Sequence, residues 1–236
     1  MNKWKSTKYM VILVVMTSSL VYAKPTMVVK GSNAIIYSSD DPKAKIILDA
    51  VKEAYKAYNN ITINFSLHIE MAEKPKSIER GRIIQQIDQF KVEMKEQHIY
   101  CDGKDLWYHL IEKEEVQIND YEGSEDVGII SPSDLLRQYE SGNFDYSLIK
   151  EYKSDQIETV EIEFKPRDSF SDYSKLRVVI DKNNTLIKEV LAFGKDGSRF
   201  KMIIDNETYD QKYNDDFFRF DKSKFPNVIV EDLRLD

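Results

Sequence analysis

The stretch Ile61-Thr62-Ile63-Asn64-Phe65-Ser66-Leu67-His68-Ile69-Glu70-Met71 places an apolar residue at every odd position and a polar one at every even position. A period of two over eleven residues is the signature of a β-strand with one buried and one wet face. Upstream, Asp41-Pro42 resembles a helix cap followed by proline at the first helical position. Ile47, Ala50, Val51, Ala54, Tyr55 and Tyr58 then recur at spacings of three and four, which predicts an amphipathic helix over residues 42–58 that ends at Asn59-Asn60. Downstream, strand-like runs follow at 77–87, 90–101, 104–112, 114–118, 159–165, 174–181, 185–193 and 198–209, with shorter ones at 217–220 and 228–230. Between 119 and 152 the alternation stops. There Ser131-Pro132-Ser133-Asp134 opens a short helix carrying Leu135, Leu136 and Tyr139, in a segment too apolar for a free linker. The expected fold class is mainly β (α+β): a curved antiparallel sheet or half-open β-barrel of about ten strands, with a helical flap at about 119–152 acting as a lid.

The chain has 236 residues, 34 Lys and Arg against 41 Asp and Glu, and a formal charge of −7. A surplus of acid argues against nucleic acid as a partner. Lys3, Lys5 and Lys8 precede an apolar run from residue 9 to 16, then Thr17-Ser18-Ser19 and a small-residue site at Val21 and Ala23. This pattern reads as a cleaved secretory signal over residues 1–23. The interruption at Thr17-Ser18-Ser19 comes too early for a membrane-spanning helix. No cysteine stands at the cleavage site, so a lipid anchor is not expected. Residues 24–41 form a lead-in and residues 42–236 one domain. Cys101 is the single cysteine, so in an oxidising compartment stability must come from the core.

No Gly-rich phosphate loop, nucleophile elbow, zinc-protease motif or C-x-x-C pair occurs, and the chain is not expected to be an enzyme or to hold a cofactor. His98, Cys101 and His109 are the best candidate metal ligands. A two-residue turn at Asp102-Gly103 sets His98 opposite Trp107. The histidines then lie on one face of the hairpin and Cys101 on the other, so no metal site is expected.

The segment Ile99-Tyr100-Cys101-Asp102-Gly103-Lys104-Asp105-Leu106-Trp107-Tyr108 resembles the "strand, D-G-K, x-L-W-x-Y, strand" hairpin of the periplasmic outer-membrane lipoprotein carrier family, LolA. The surroundings agree in order over residues 44–234. Gly81 opens a strand, Phe90-Lys91-Val92-Glu93-Met94 stands where that family has an aromatic-basic strand, and Phe217-Phe218-Arg219-Phe220 with Pro226-Asn227-Val228 resembles its closing segment. The resemblance implies a monomeric periplasmic carrier that shelters the acyl chains of lipoproteins. Its partners would be acylated lipoproteins, an inner-membrane ABC-type release transporter and an outer-membrane acceptor. A regulatory module that senses lipid or lipoprotein on the same fold is the alternative.

With the alternation, the resemblance marks Phe65, Leu67, Ile69, Phe90, Val92, Met94, Leu106, Tyr108, Leu110, Val160, Ile162 and Phe164 as cavity residues, with Leu135 and Leu136 from the flap. In the family a basic residue followed by proline holds the empty lid shut. The matching stretch here is Gln85-Gln86-Ile87-Asp88, which puts Gln86, to within one residue, in the latch position without the charge or the proline. The leader reading is checked by N-terminal sequencing of the exported protein. The sequence is expected to start at Lys24, and a membrane-integral product that keeps residues 1–23 would contradict it.

Overall fold

The computed structural model describes residues 40–121, 131–154 and 156–234. The expected helix forms as α1 (Pro42–Lys56), capped by Asp41, whose carboxylate accepts the Lys43 N–H at 2.8 Å. Strands follow as β1 (Ile61–Glu70), β2 (Ser77–Gln86), β3 (Gln89–Met94), β4 (Gln97–Cys101), β5 (Asp105–Leu110) and β6 (Glu115–Asp120). Helix α2 (Pro132–Glu140) comes next, then β7 (Phe144–Ser154), β8 (Ile157–Pro166), β9 (Tyr173–Asp181), β10 (Leu186–Gly194), β11 (Arg199–Tyr209) and β12 (Ile229–Asp232). No helix among the described residues is long and apolar enough to cross a membrane.

All twelve strands form one sheet in the order β12-β6-β5-β4-β3-β2-β1-β11-β10-β9-β8-β7. β1 to β6 zigzag to one edge. The chain then crosses to the opposite edge and zigzags back until β11 pairs with β1. The crossover carries α2, so the helix is laid over the concave face by the connectivity itself. Register shifts at Asn64/Phe65, Leu148/Lys150 and Ile187/Glu189 mark irregularities that bend a sheet. At the β7 edge, Asp41 closes part of the ladder: its N–H donates to Tyr146 O and its carboxylate accepts from Leu148 N, both at 3.1 Å. Those bonds, the Leu148 bond foremost, hold the Asp41 carboxyl below its ordinary pKa.

Several expectations change. Residues 90–101 are two strands, folded back at Lys95-Glu96 without a glycine or proline to signal it. The flap is narrower than 119–152, because β7 takes up 144–154; residues 122–130 lie outside the described residues. Residues 217–220 are not a strand, since Asp215–Phe218 is a 3-10 turn, and β12 joins β6 in parallel. The hairpin turn is Gly103-Lys104, which pairs Cys101 with Leu106 and His98 with His109 rather than with Trp107. Every partner moves by two residues, so the assignment of side chains to faces is unchanged. Asp102 shapes this turn by accepting the N–H groups of Lys104 (3.0 Å) and Asp105 (2.9 Å), and Gly103 takes φ +90°, which favours glycine. Gly81 lies within β2, not at its start. A Cβ there would come within 2.4 Å of the Phe65 ring, so the glycine makes room for that side chain.

The convex face of β2–β6 is covered by the chain after β11. Tyr100, Trp107 and Val116 pack with Val228, and Phe220, Phe225 and Val230 pack around them. Phe218 is fully buried, the Tyr213 hydroxyl is 2.8 Å from Thr62 Oγ1, and Arg219 donates to Asp102 at 2.8 Å. Thus the Asp102–Tyr108 stretch, in which Tyr108 directly follows Trp107 and His109 stands at the last position of the D-G-K-x-L-W-x-Y pattern, serves both faces, with Leu106 and Tyr108 inward and Trp107 outward.

His109 is buried in this convex cluster, its ring 4.5 Å from Phe225, 5.2 Å from Phe220 and 6.1 Å from His98. Its Nδ1 is buried without a partner. Loss of solvation, and secondarily His98, pushes its pKa down. A histidine with a depressed folded pKa stabilises fully above its unfolded value of about 6.5 and loses that contribution as pH falls. The melting temperature is therefore expected to fall between pH 7 and pH 5, and His109→Phe to flatten that slope by up to one proton. An unaltered slope would show that His109 does not titrate with unfolding.

Candidate functional site

The concave face gathers one continuous apolar cluster. Phe65, Leu67, Phe90, Val92, Leu106, Val160, Ile162, Phe164, Leu135 and Leu136 are buried within it, and Ile69, Met94 and Tyr108 pack against it half-buried. Leu110 is buried beside its pairing partner Gln97, outside that cluster. Cys101 opens onto this concave side, and burial pushes its thiol up to about 12. His98 and His109 lie on the convex side, so the three candidate metal ligands do not converge.

The cluster extends beyond the residues marked from sequence. α1 contributes Ala44, Leu48, Val51 and Tyr55, β7 contributes Phe144 and Tyr146, and β9 contributes Leu176, Val178 and Ile180. The alternation in 174–181 carried that signal for β9; of the helical stripe read from sequence only Val51 and Tyr55 are buried, Ala50 and Tyr58 are exposed, and Ala44 and Leu48 complete the buried face instead. Together these side chains fill the concavity, and Phe65, Phe164, Leu48, Ile63 and Leu135 are among the largest that are fully buried. Beside α2 the described residues leave a cleft of about 150 Å³, below the roughly 300–1,000 Å³ of small-molecule pockets.

The start of α2 is held by a buried polar network. Ser131 caps the helix and its hydroxyl donates to Gln85 Oε1 at 2.6 Å, while Gln85 Nε2 donates to Asp134 Oδ1 at 3.2 Å. Asp134 also accepts the Ser131 N–H at 2.8 Å, completing a capping box. Arg137 bonds to Asp134 and reaches Asp88 of the β2–β3 turn at 3.4 Å. Gln85, Ser131 and Asp134 are all buried. The sheet residue that bonds the lid is thus Gln85, one position before the expected Gln86, which is half-buried. At the far end of the lid, the Tyr139 hydroxyl donates to Asp49 at 2.9 Å, and Glu140 meets Lys56 at 2.8 Å and Lys52 at 3.4 Å. The lysine partners, Lys56 foremost, hold the Glu140 carboxyl below its ordinary range.

The cleft lies between the C-terminal half of α1, the outer flank of α2 and the ends of β1 and β2. Ile87 is at its rim, 78% exposed and at φ +53°, a conformation that is costly for a β-branched residue.

The family model for outer membrane lipoprotein carrier protein LolA matches residues 59–221. A solved structure of an uncharacterized conserved protein from Thermus thermophilus shares the fold, at 11% identity and a TM-score of 0.53, over 82% of this chain and 99% of that one. Looser similarities are to a LolA superfamily protein from Nitrosomonas europaea (12% identity, TM-score 0.41, 75% and 97% covered) and to the Mycobacterium tuberculosis lipoprotein LppX (13%, 0.45, 74% and 99%). No curated protein matches the chain in sequence.

Gln85→Ala is expected to take one buried hydrogen bond each from the Ser131 hydroxyl and the Asp134 carboxylate, which keep each other and Arg137 as partners, at a cost of about 0.5–1.5 kcal/mol per bond. The melting temperature would fall by several degrees and binding of an apolar fluorescent dye would rise, whereas Gln86→Ala would change neither much. Equal effects from the two variants would place the latch elsewhere.

Proposed function

Because the chain belongs to the outer membrane lipoprotein carrier family LolA, we propose that it shelters the acyl chains of a lipoprotein on the concave face and carries them through the periplasm. The observation that supports this most is the way the apolar concavity is closed. Its cover is a crossover helix held at its N-terminal end by a polar network and at its C-terminal end by ion pairs, a closure that can be undone without unfolding the sheet. In this reading residues 1–23 export the chain, an inner-membrane ABC-type transporter loads it and an outer-membrane acceptor unloads it. Phe65, Leu67, Phe90, Val92, Leu106, Ile162 and Phe164 would form the wall that the acyl chains meet once α2 lifts.

The energetics suit a carrier. Each buried CH₂ contributes about 0.8 kcal/mol, so a long acyl chain is worth roughly 12 kcal/mol, and a bilayer offers nearly as much. Exchange between membrane and carrier is then close to balanced. The cost of opening the lid subtracts from the affinity, because only the open fraction binds.

The test compares a synthetic diacylated lipopeptide with the same peptide lacking its acyl chains. The acylated form is expected to bind and to accelerate hydrogen exchange of the amides in residues 131–140, while the unacylated form does neither. Absence of acyl-dependent binding would refute the carrier reading. Binding that leaves the exchange of 131–140 unchanged would refute lid displacement.

A further inference from the structure

The cleft beside the lid has a composition that an acyl-chain site alone does not require. Its floor is apolar: Tyr55, Ile61 and Leu136 line it and also belong to the concave cluster. Its rim is cationic: Lys52, Lys56 and Arg137 stand there against one acid, Glu140. Asp49 and Glu53 flank Lys52 on its own helix, and Asp88 and Asp134 hold Arg137, which leaves Lys56 as the rim cation whose one described ion-pair partner is Glu140. About 150 Å³ is too small for a long acyl chain but has room for a compact polar group. Leu136 of the lid separates the cleft from the interior, so when α2 lifts the two become one continuous space, polar outside and apolar inside.

Building on the carrier reading, we infer that this cleft is a headgroup subsite, and that the preferred cargo is an amphiphile with an anionic phosphate or carboxylate group next to its acyl chain. Glu140 holds the place of that anion in the closed state. Its carboxylate is the common partner of Lys56 (2.8 Å) and Lys52 (3.4 Å), and it is carried by the element that must move. When α2 lifts, Glu140 and Arg137 leave with it. Lys52 keeps Asp49 at 3.6 Å and Glu53 at 3.8 Å on its own helix, while Lys56 loses its ion-pair partner. Lys56 and Glu140 are 54% and 37% exposed, so their pair contributes little to stability and is inexpensive to exchange. Lys52 is only 18% exposed, and a second anion placed against it would be screened less by salt than one on the open surface. The lysines also offset the negative end of the α1 dipole, which would otherwise repel an anion there.

The experiment measures binding of 1-palmitoyl lysophosphatidate, 1-monopalmitoylglycerol and inorganic phosphate to the purified protein. The two lipids share chain and glycerol and differ by the phosphate. The lysophosphatidate is expected to bind at least tenfold more tightly at low salt, with the advantage shrinking at 0.5 M salt. Lys52→Gln/Lys56→Gln should abolish that advantage while monopalmitoylglycerol still binds, at least as tightly as to the wild type because the ion pairs that help hold α2 are gone, and that binding also reports that the variant is folded. Equal affinity for the two lipids in the wild type would overturn the subsite and leave the carrier reading standing. A phosphate preference that survives the double variant would also overturn it. Inorganic phosphate binding as tightly as the lysophosphatidate would mean a site for free anions, not for an amphiphile. Failure of both lipids to bind would sink the subsite and the carrier reading together.

Discussion

The inner face of a twelve-stranded sheet, with Ile63, Phe65, Val92, Ile162 and Phe164 buried on it, has to be kept from water. The rest of the architecture follows from that requirement. The sheet is too curved and too apolar on this side to stand alone, and it is not closed into a full barrel, since β12 and β7 remain edges. Covering falls to α1, which enters before the first strand, and to α2, which the chain lays across the concavity on its way from one edge to the other. A crossover helix is a cover by topology, and a cover by topology can also be a lid.

The two helices cover the same cluster by different means. α1 presents Ala44, Leu48, Val51 and Tyr55 and is tied to the β7 edge by Asp41. α2 is shorter, and beside Leu135, Leu136 and Tyr139 it depends on Gln85, Ser131 and Asp134. Buried polar groups are costly when unsatisfied and contribute modestly when paired, so such a network specifies one closed position without making it deep. Ion pairs at the other end of α2, exposed to solvent, have the same character. Contacts of this kind seat α2 in register, and under the proposed carrier role they would let it open at small cost.

The convex side shows the opposite design. There the C-terminal segment lays Phe218, Phe220, Phe225 and Val228 over Trp107, Tyr100 and Val116, and Arg219 joins it to the turn residue Asp102. A single hairpin is thereby packed on both faces. That explains why its residues form a compact signature: Asp102 and Gly103 shape the turn, Leu106 faces the concavity and Trp107 anchors the outer layer.

Local chemistry was enough for much of this. The period of two in 61–71 identified a strand and its buried face. Ser131-Pro132-Ser133-Asp134 marked a helix start, and the inward set from Phe65 to Phe164 came from alternation, because parity within a strand survives a register error of two residues, as it did at Gly103-Lys104. Where alternation is masked, sequence alone could not decide. Ile83-Ile84 is apolar at two successive positions and carries no phase, so Gln85 and Gln86 could not be ordered from it. Both isoleucines are fully buried, Ile83 under the helices and Ile84 on the convex side, where Tyr213 of the C-terminal segment crosses the neighbouring Thr62. Only the fold brings a segment more than a hundred residues away onto that face, and only then does Gln85 turn inward to the lid while Gln86 does not. The parallel pairing of β12 and the convergence of Lys52, Lys56 and Glu140 have the same origin, since long-range neighbours are set by the packing of the whole chain and leave no local pattern.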